Sequence, residues 1–142
     1  MAAATLDEEI RDLLSTPRTW AVVGCSPRPH RDSHRIAGLL RGRGNRILPV
    51  NPTCSGEDIL GERCHPSLHD LPEGTAVDVV DIFRRADAAG EHVDEAIAIG
   101  ARAVWMQLGV IDEAAADRAR AAGLTVVMDR CPAIEIRRLG LS

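Results

Sequence analysis

Five short runs with strand character recur along the chain, separated by stretches whose apolar residues fall at helical spacing, and this alternation is what most limits the fold. The runs are residues 19–24 (TWAVVG), 46–50 (RILPV), 77–83 (VDVVDIF), 103–108 (AVWMQL) and 124–128 (LTVVM). Between them, Ile36, Leu39 and Leu40 mark one helix, and Ala89, Val93, Ala96 and Ile97 mark a second within 84–100. Ala115, Ala119 and Ala122 stripe a third that ends at Gly123, a residue suited to a C-cap. A short helix over 7–16, carrying Ile10, Leu13 and Leu14 and closed by Pro17, precedes the first run, and 131–139 closes the chain as another. The segment that follows Asn51-Pro52 and runs through Pro66 and Pro72 reads as loop.

Parallel strands need a crossover through a helix, so this order predicts an α/β fold: a doubly wound, five-stranded parallel sheet with helices on both faces. Rossmann and flavodoxin-like strand orders both satisfy the pattern. The 142 residues contain no repeat and no low-complexity linker, so residues 1–142 are read as a single domain. A ligand of such a sheet is expected outside the carboxyl ends of its strands.

Composition narrows what that ligand and its setting are. The chain is 45% hydrophobic and 27% charged, and no stretch approaches the roughly 20 apolar residues of a membrane span. The start, MAAATLDEEIRDLL, has acids early and no basic segment leading an apolar run, so a cytoplasmic location is expected. Cys25, Cys54, Cys64 and Cys131 form no CxxC pair, which argues against zinc and against a redox dithiol; reduced thiols are expected. The five histidines show no metal-binding spacing, so no metal is expected. A net charge of −4 and an aromatic set of Phe83, Trp20 and Trp105 argue against a nucleic-acid partner.

The loop after the first run, Gly24-Cys25-Ser26-Pro27-Arg28-Pro29-His30-Arg31-Asp32-Ser33, concentrates positive charge in an acidic chain. Arg28, Arg31 and Arg35 face one acid, Asp32, and a helix follows whose N-terminus attracts phosphate. Glycine at the strand end lets a ligand approach the backbone. A solvated charged loop, with Ser33 only capping the helix, accounts for this segment equally well. The spacing is G-x-S rather than G-x-G-x-x-G, and the second run ends in Asn51-Pro52 where a dinucleotide site would place an acid, so NAD is disfavoured; no GxxxxGK[ST] is present either.

Five segments in order resemble a known family: AVVGCSPRPHRDS (21–33), LPVNP (48–52), VDVVDIFR (77–84), AVWMQLGV (103–110) and VVMDRCPAIE (126–135). They are similar to the stand-alone CoA-binding proteins related to the N-terminal domain of the succinyl-CoA synthetase α subunit. The resemblance implies a Rossmann-like sheet with coenzyme A laid across the strand ends. It places the phosphates near Gly24, Ser26, Arg28 and Arg31, with Cys25, Pro27 and Ser33 in the same binding loop. Val50, Asn51 and Pro52 are expected at the adenosine end, Phe83 and Arg84 beside the ligand, and Gln107 and Gly109 along the pantetheine arm. Arginine suits multidentate phosphate contacts and agrees with that assignment.

The synthetase carries its phosphorylated histidine in a second domain, so ligase activity is not expected, and no catalytic residue is assigned. The expected function is non-catalytic binding of CoA or an acyl-CoA, with the protein partner unspecified. An acyl-CoA-acting enzyme with a cysteine nucleophile, or an interaction subunit that has lost the ligand, are the alternatives. Cys25 and Cys131 both stand near a helix start that lowers a thiol pKa, which would permit a mixed disulfide with CoA; small cysteines that only pack are the other reading.

Overall fold

The computed structural model describes residues 3–141. The chain opens with α1 (Leu6–Ser15), capped by Thr5, whose Oγ1 accepts a hydrogen bond from the Glu8 N–H at 3.1 Å; Asp7, Glu8 and Glu9 fill the first turn where the helix dipole favours acids. Next come β1 (Thr19–Val23), α2 (Asp32–Gly42) and β2 (Arg46–Val50). A small ribbon, β3 (Asp58–Ile59) with β4 (Glu62–Arg63), precedes β5 (Val79–Ile82) and α3 (Ala86–Ala98). The chain ends with β6 (Ala103–Met106), α4 (Glu113–Ala121), β7 (Thr125–Val127) and α5 (Pro132–Arg138).

The five long strands form one parallel sheet in the order β2-β1-β5-β6-β7. Counting only these strands, the order is 2-1-3-4-5, so the connections turn opposite ways on either side of the boundary between β1 and β5. Alternate residues of each strand feed two layers. Ala21, Val23, Val80, Ile82 and Val104 pack with Val93 of α3 and Ala119 of α4. Trp20, Val22, Val79 and Trp105 pack on the other side with Leu13 of α1, Leu40 of α2 and Ile136 of α5. No helix of the described residues is long and apolar enough to cross a membrane.

Several boundaries differ from the sequence-based expectation, for physical reasons. β5, β6 and β7 are shorter than 77–83, 103–108 and 124–128; the ladder loosens at the end of β6, where the Gln107 N–H reaches Ile82 O only at 3.5 Å, while the Phe83 N–H beyond β5 still bonds Val23 O at 2.9 Å. Leu39 is 38% exposed; α2 instead buries Ile36, Ala37 and Leu40. Ala122 caps the end of α4 and is exposed, while Ala115, Ala116 and Ala119 form the buried stripe. The segment read as loop contains the β3–β4 ribbon and two single 3-10 turns, Pro52–Cys54 and Leu68–Asp70, tied to the sheet by the Val50–His65 bridge.

Gly24, at the end of β1, has φ +83, and a Cβ there would lie 2.5 Å from the carbonyl oxygen of Phe83. Its own N–H donates to Val50 O at 2.7 Å, so the backbone cannot back away without breaking the β1–β2 pairing. Gly24→Ala is therefore expected to cost at least about 2 kcal/mol, the sum of a left-handed backbone and a backbone clash. Urea unfolding of the variant measures it; an unchanged midpoint would mean that the β1–β5 approach is loose.

Candidate functional site

Two clefts open over the carboxyl ends of the strands, and they share Phe83 and Asp32 as lining residues. The first, approximately 970 Å³, lies over the loop that follows β1. It brings together Gly24, Ser26, Pro27, Arg28, Arg31, Ser33, Asn51 and Phe83 of the residues singled out in the sequence, and adds His30. The second, approximately 600 Å³, takes in Phe83, Arg84, Gln107 and Gly109, together with Cys131 at the start of α5. Val50 and Pro52 do not reach the first cleft. They line a separate cavity of approximately 190 Å³ toward α3, with Gly24, Arg84 and His92.

The loop from Gly24 to Arg31 is held by its own polar groups. Ser33 Oγ accepts the Ser26 N–H at 3.0 Å, and Ser26 Oγ accepts the Arg28 N–H at 3.1 Å. Asn51 Nδ2 donates to Cys25 O at 3.0 Å, while its Oδ1 accepts from the N–H of Thr53 at 3.0 Å. Ser33 thus braces the loop and does not cap α2. The N-cap of α2 is Arg31, which makes no side-chain cap bond, so the dipole of an eleven-residue helix ends uncapped at the first cleft. A preorganised loop, an uncapped helix start and the arginines at positions 28 and 31 are together suited to an anion.

Cys25 lies beneath this loop with none of its surface exposed, and burial pushes its thiol up to about 12. Desolvation overrides any pull from the helix start, so at Cys25 the burial favours the packing reading over the reactive one. Cys131 is half-buried and lines the second cleft.

Beneath the second cleft the sheet carries a buried polar pair that sequence reasoning missed. Asp81, on β5, is fully buried, and Gln107 Nε2 donates to its Oδ1 at 2.5 Å; Oδ2 has no partner. Burial pushes the Asp81 carboxyl up to about 8, against the opposing pull of the Gln107 hydrogen bond. Burial thus favours the protonated carboxyl, and the hydrogen bond fixes the Gln107 side chain at the cleft floor. The sequence signal was available: an acid in the middle of VDVVDIF must be buried if the run is a central strand.

The sequence model of a family described as "CoA binding domain" matches residues 18–137. The chain is 35% identical over 123 residues to the Bacillus subtilis protein YneT, covering 87% of this chain and 88% of that protein. A solved structure of a Thermus thermophilus protein is similar at 39% identity, with a TM-score of 0.86, over 95% of this chain and 99% of that one. The fold is also that of part of a dinucleotide-forming acetyl-coenzyme A synthetase from Ca. Korarchaeum cryptofilum, with a TM-score of 0.66 and 24% identity over 84% of this chain and 28% of the synthetase.

The Asp81 proton makes a testable contribution to stability. The unfolded chain releases it near a pKa of about 3.9, while the folded protein holds it up to about 8. Between those values the folded state binds the extra proton, so this group's contribution falls as pH rises, by at most about 1.4 kcal/mol per pH unit. Asp81→Asn keeps an oxygen for Gln107 and removes the titration. Its urea midpoint is expected to gain on the parent's steadily from acid to mildly alkaline pH; parallel profiles would show that Asp81 does not titrate in this range.

Proposed function

The chain belongs to the CoA-binding domain family, and we propose that it binds coenzyme A, or an acyl-CoA, across the carboxyl ends of β2, β1, β5 and β6 without turning it over. The observation that carries this reading is the sharing of Phe83 and Asp32 by the two clefts, which makes them one trough over four adjacent strand ends. Three inter-strand spacings give such a trough a span of about 14 Å. A ligand long enough to use all of it needs an anionic portion for one end and a slim, mostly neutral arm for the other.

In the proposed pose the phosphates lie in the first cleft against Arg28, Arg31 and the backbone near Gly24 and Ser26, over the uncapped start of α2. The adenosine end reaches Asn51. Val50 and Pro52 support that wall from behind, consistent with their position on the cavity toward α3. The pantetheine arm crosses Phe83 and Arg84 and ends near Gln107 and Gly109, where the Asp81 hydrogen bond orients the Gln107 amide. Cys25, sealed below the loop, contributes packing. An acyl-transfer role would fall to Cys131, whose neighbours in the second cleft are arginines and apolar groups; acetyl-CoA turnover that disappears in Cys131→Ala would be its mark.

Calorimetric titration tests the reading directly. CoA is expected to bind, dephospho-CoA more weakly, and NAD not at all; absence of binding by CoA would leave the interaction-subunit alternative. Arg31→Ala is expected to weaken CoA by about 1.5 kcal/mol, roughly tenfold, the lower end for a charge-assisted contact because the residue is exposed. An unchanged affinity would remove Arg31 from the site.

A further inference from the structure

The second cleft contains more positive charge than a pantetheine arm requires. Arg35, Arg84, Arg85 and Arg137 line it, against a single acid, Asp32. Asp32 is engaged with Arg35, and Arg85 is paired with Asp87 at 3.4 Å. Arg84 and Arg137, which also line it, have no acidic partner within 4.0 Å among the described residues. Ile36, Val110 and Ala133 give the same cleft apolar lining. Leu108 and Ile134, at the same cleft, remain 56% and 44% exposed, and they are two of the five large apolar side chains left in water among the described residues.

A cleft that combines apolar lining with unpaired arginines matches a short hydrocarbon chain terminated by an anion. We infer that the second cleft holds the acyl end of a CoA thioester and prefers acyl groups that carry a terminal carboxylate. The inference rests on the CoA reading above, which brings the ligand's sulfur end to Gln107 and Gly109. A neutral acyl chain would cover Leu108 and Ile134 but leave both guanidinium groups without a partner. A dicarboxylic acid joined through one carboxyl as the thioester satisfies both requirements with its other carboxylate.

The test is a calorimetric comparison of free CoA, pentanoyl-CoA and glutaryl-CoA, the last two matched in length and differing at the terminal group. Glutaryl-CoA is expected to bind about tenfold more tightly than pentanoyl-CoA, with the difference shrinking as salt is raised. Arg137→Gln should bring that ratio close to one while leaving the affinity for free CoA unchanged; Arg137 is exposed, and an unaltered thermal melt verifies the variant's fold. Equal affinities for the two thioesters, with free CoA bound, would overturn the acyl preference and leave the CoA reading standing. So would an Arg137→Gln variant that weakens all three ligands alike, since Arg137 would then contact CoA itself. If free CoA does not bind, both readings fall together.

Discussion

The junction of three strand ends governs this molecule. Val23 O accepts the Phe83 N–H at 2.9 Å on one side of β1, and Val50 O accepts the Gly24 N–H at 2.7 Å on the other, so β2, β1 and β5 finish abreast. Only glycine fits the turn that follows, because the Phe83 carbonyl occupies the space of a side chain. From this line α2 returns over one face of the sheet and α3 over the other, and the trough between them is a consequence of that divergence.

Polar groups buried at the sheet's margins keep the elements in place. Asn45 accepts the Arg18 N–H at 2.8 Å and donates to Leu40 O at 2.8 Å, tying the entry of β1 to the exit of α2. Glu135, 2% exposed, receives Arg138 Nε at 3.0 Å, and the same guanidinium reaches Asp7 at 2.7 Å, fastening α5 to α1. Each has its partners, as burial of such groups demands. Asp81 differs, with one carboxyl oxygen unpartnered, and burial favours its protonated form.

Most of the architecture was legible because strand and helix periods alternate cleanly and the parallel sheet follows from them. The β3–β4 ribbon was not: its turn is Leu60-Gly61, with φ of 51° and 81°, and leucine gives none of the asparagine or aspartate signal that usually marks such a turn. The concentration of charge in the loop after β1 was legible, but the brace that holds it was not: Ser33, a helix cap in the alternative reading, bonds back across seven residues rather than along its own helix. Cys25 was placed in the right loop, but one residue of offset separates its sealed side chain from the cleft. Val50 and Pro52 illustrate the same limit, since alternate residues of a strand end face opposite sides of the sheet.

The chain has two tryptophans and no tyrosine, and both indoles are fully buried in the layer formed by α1, α2 and α5, their ring centroids 5.8 Å apart at 50°. The α3–α4 layer contains neither of them. Ultraviolet emission from this protein is therefore a one-sided signal. It reports the loosening of one layer and is blind to fraying of the other, while the hydrogen bond from Trp105 Nε1 to Arg130 O, 2.9 Å long, connects that signal to the backbone leading into α5.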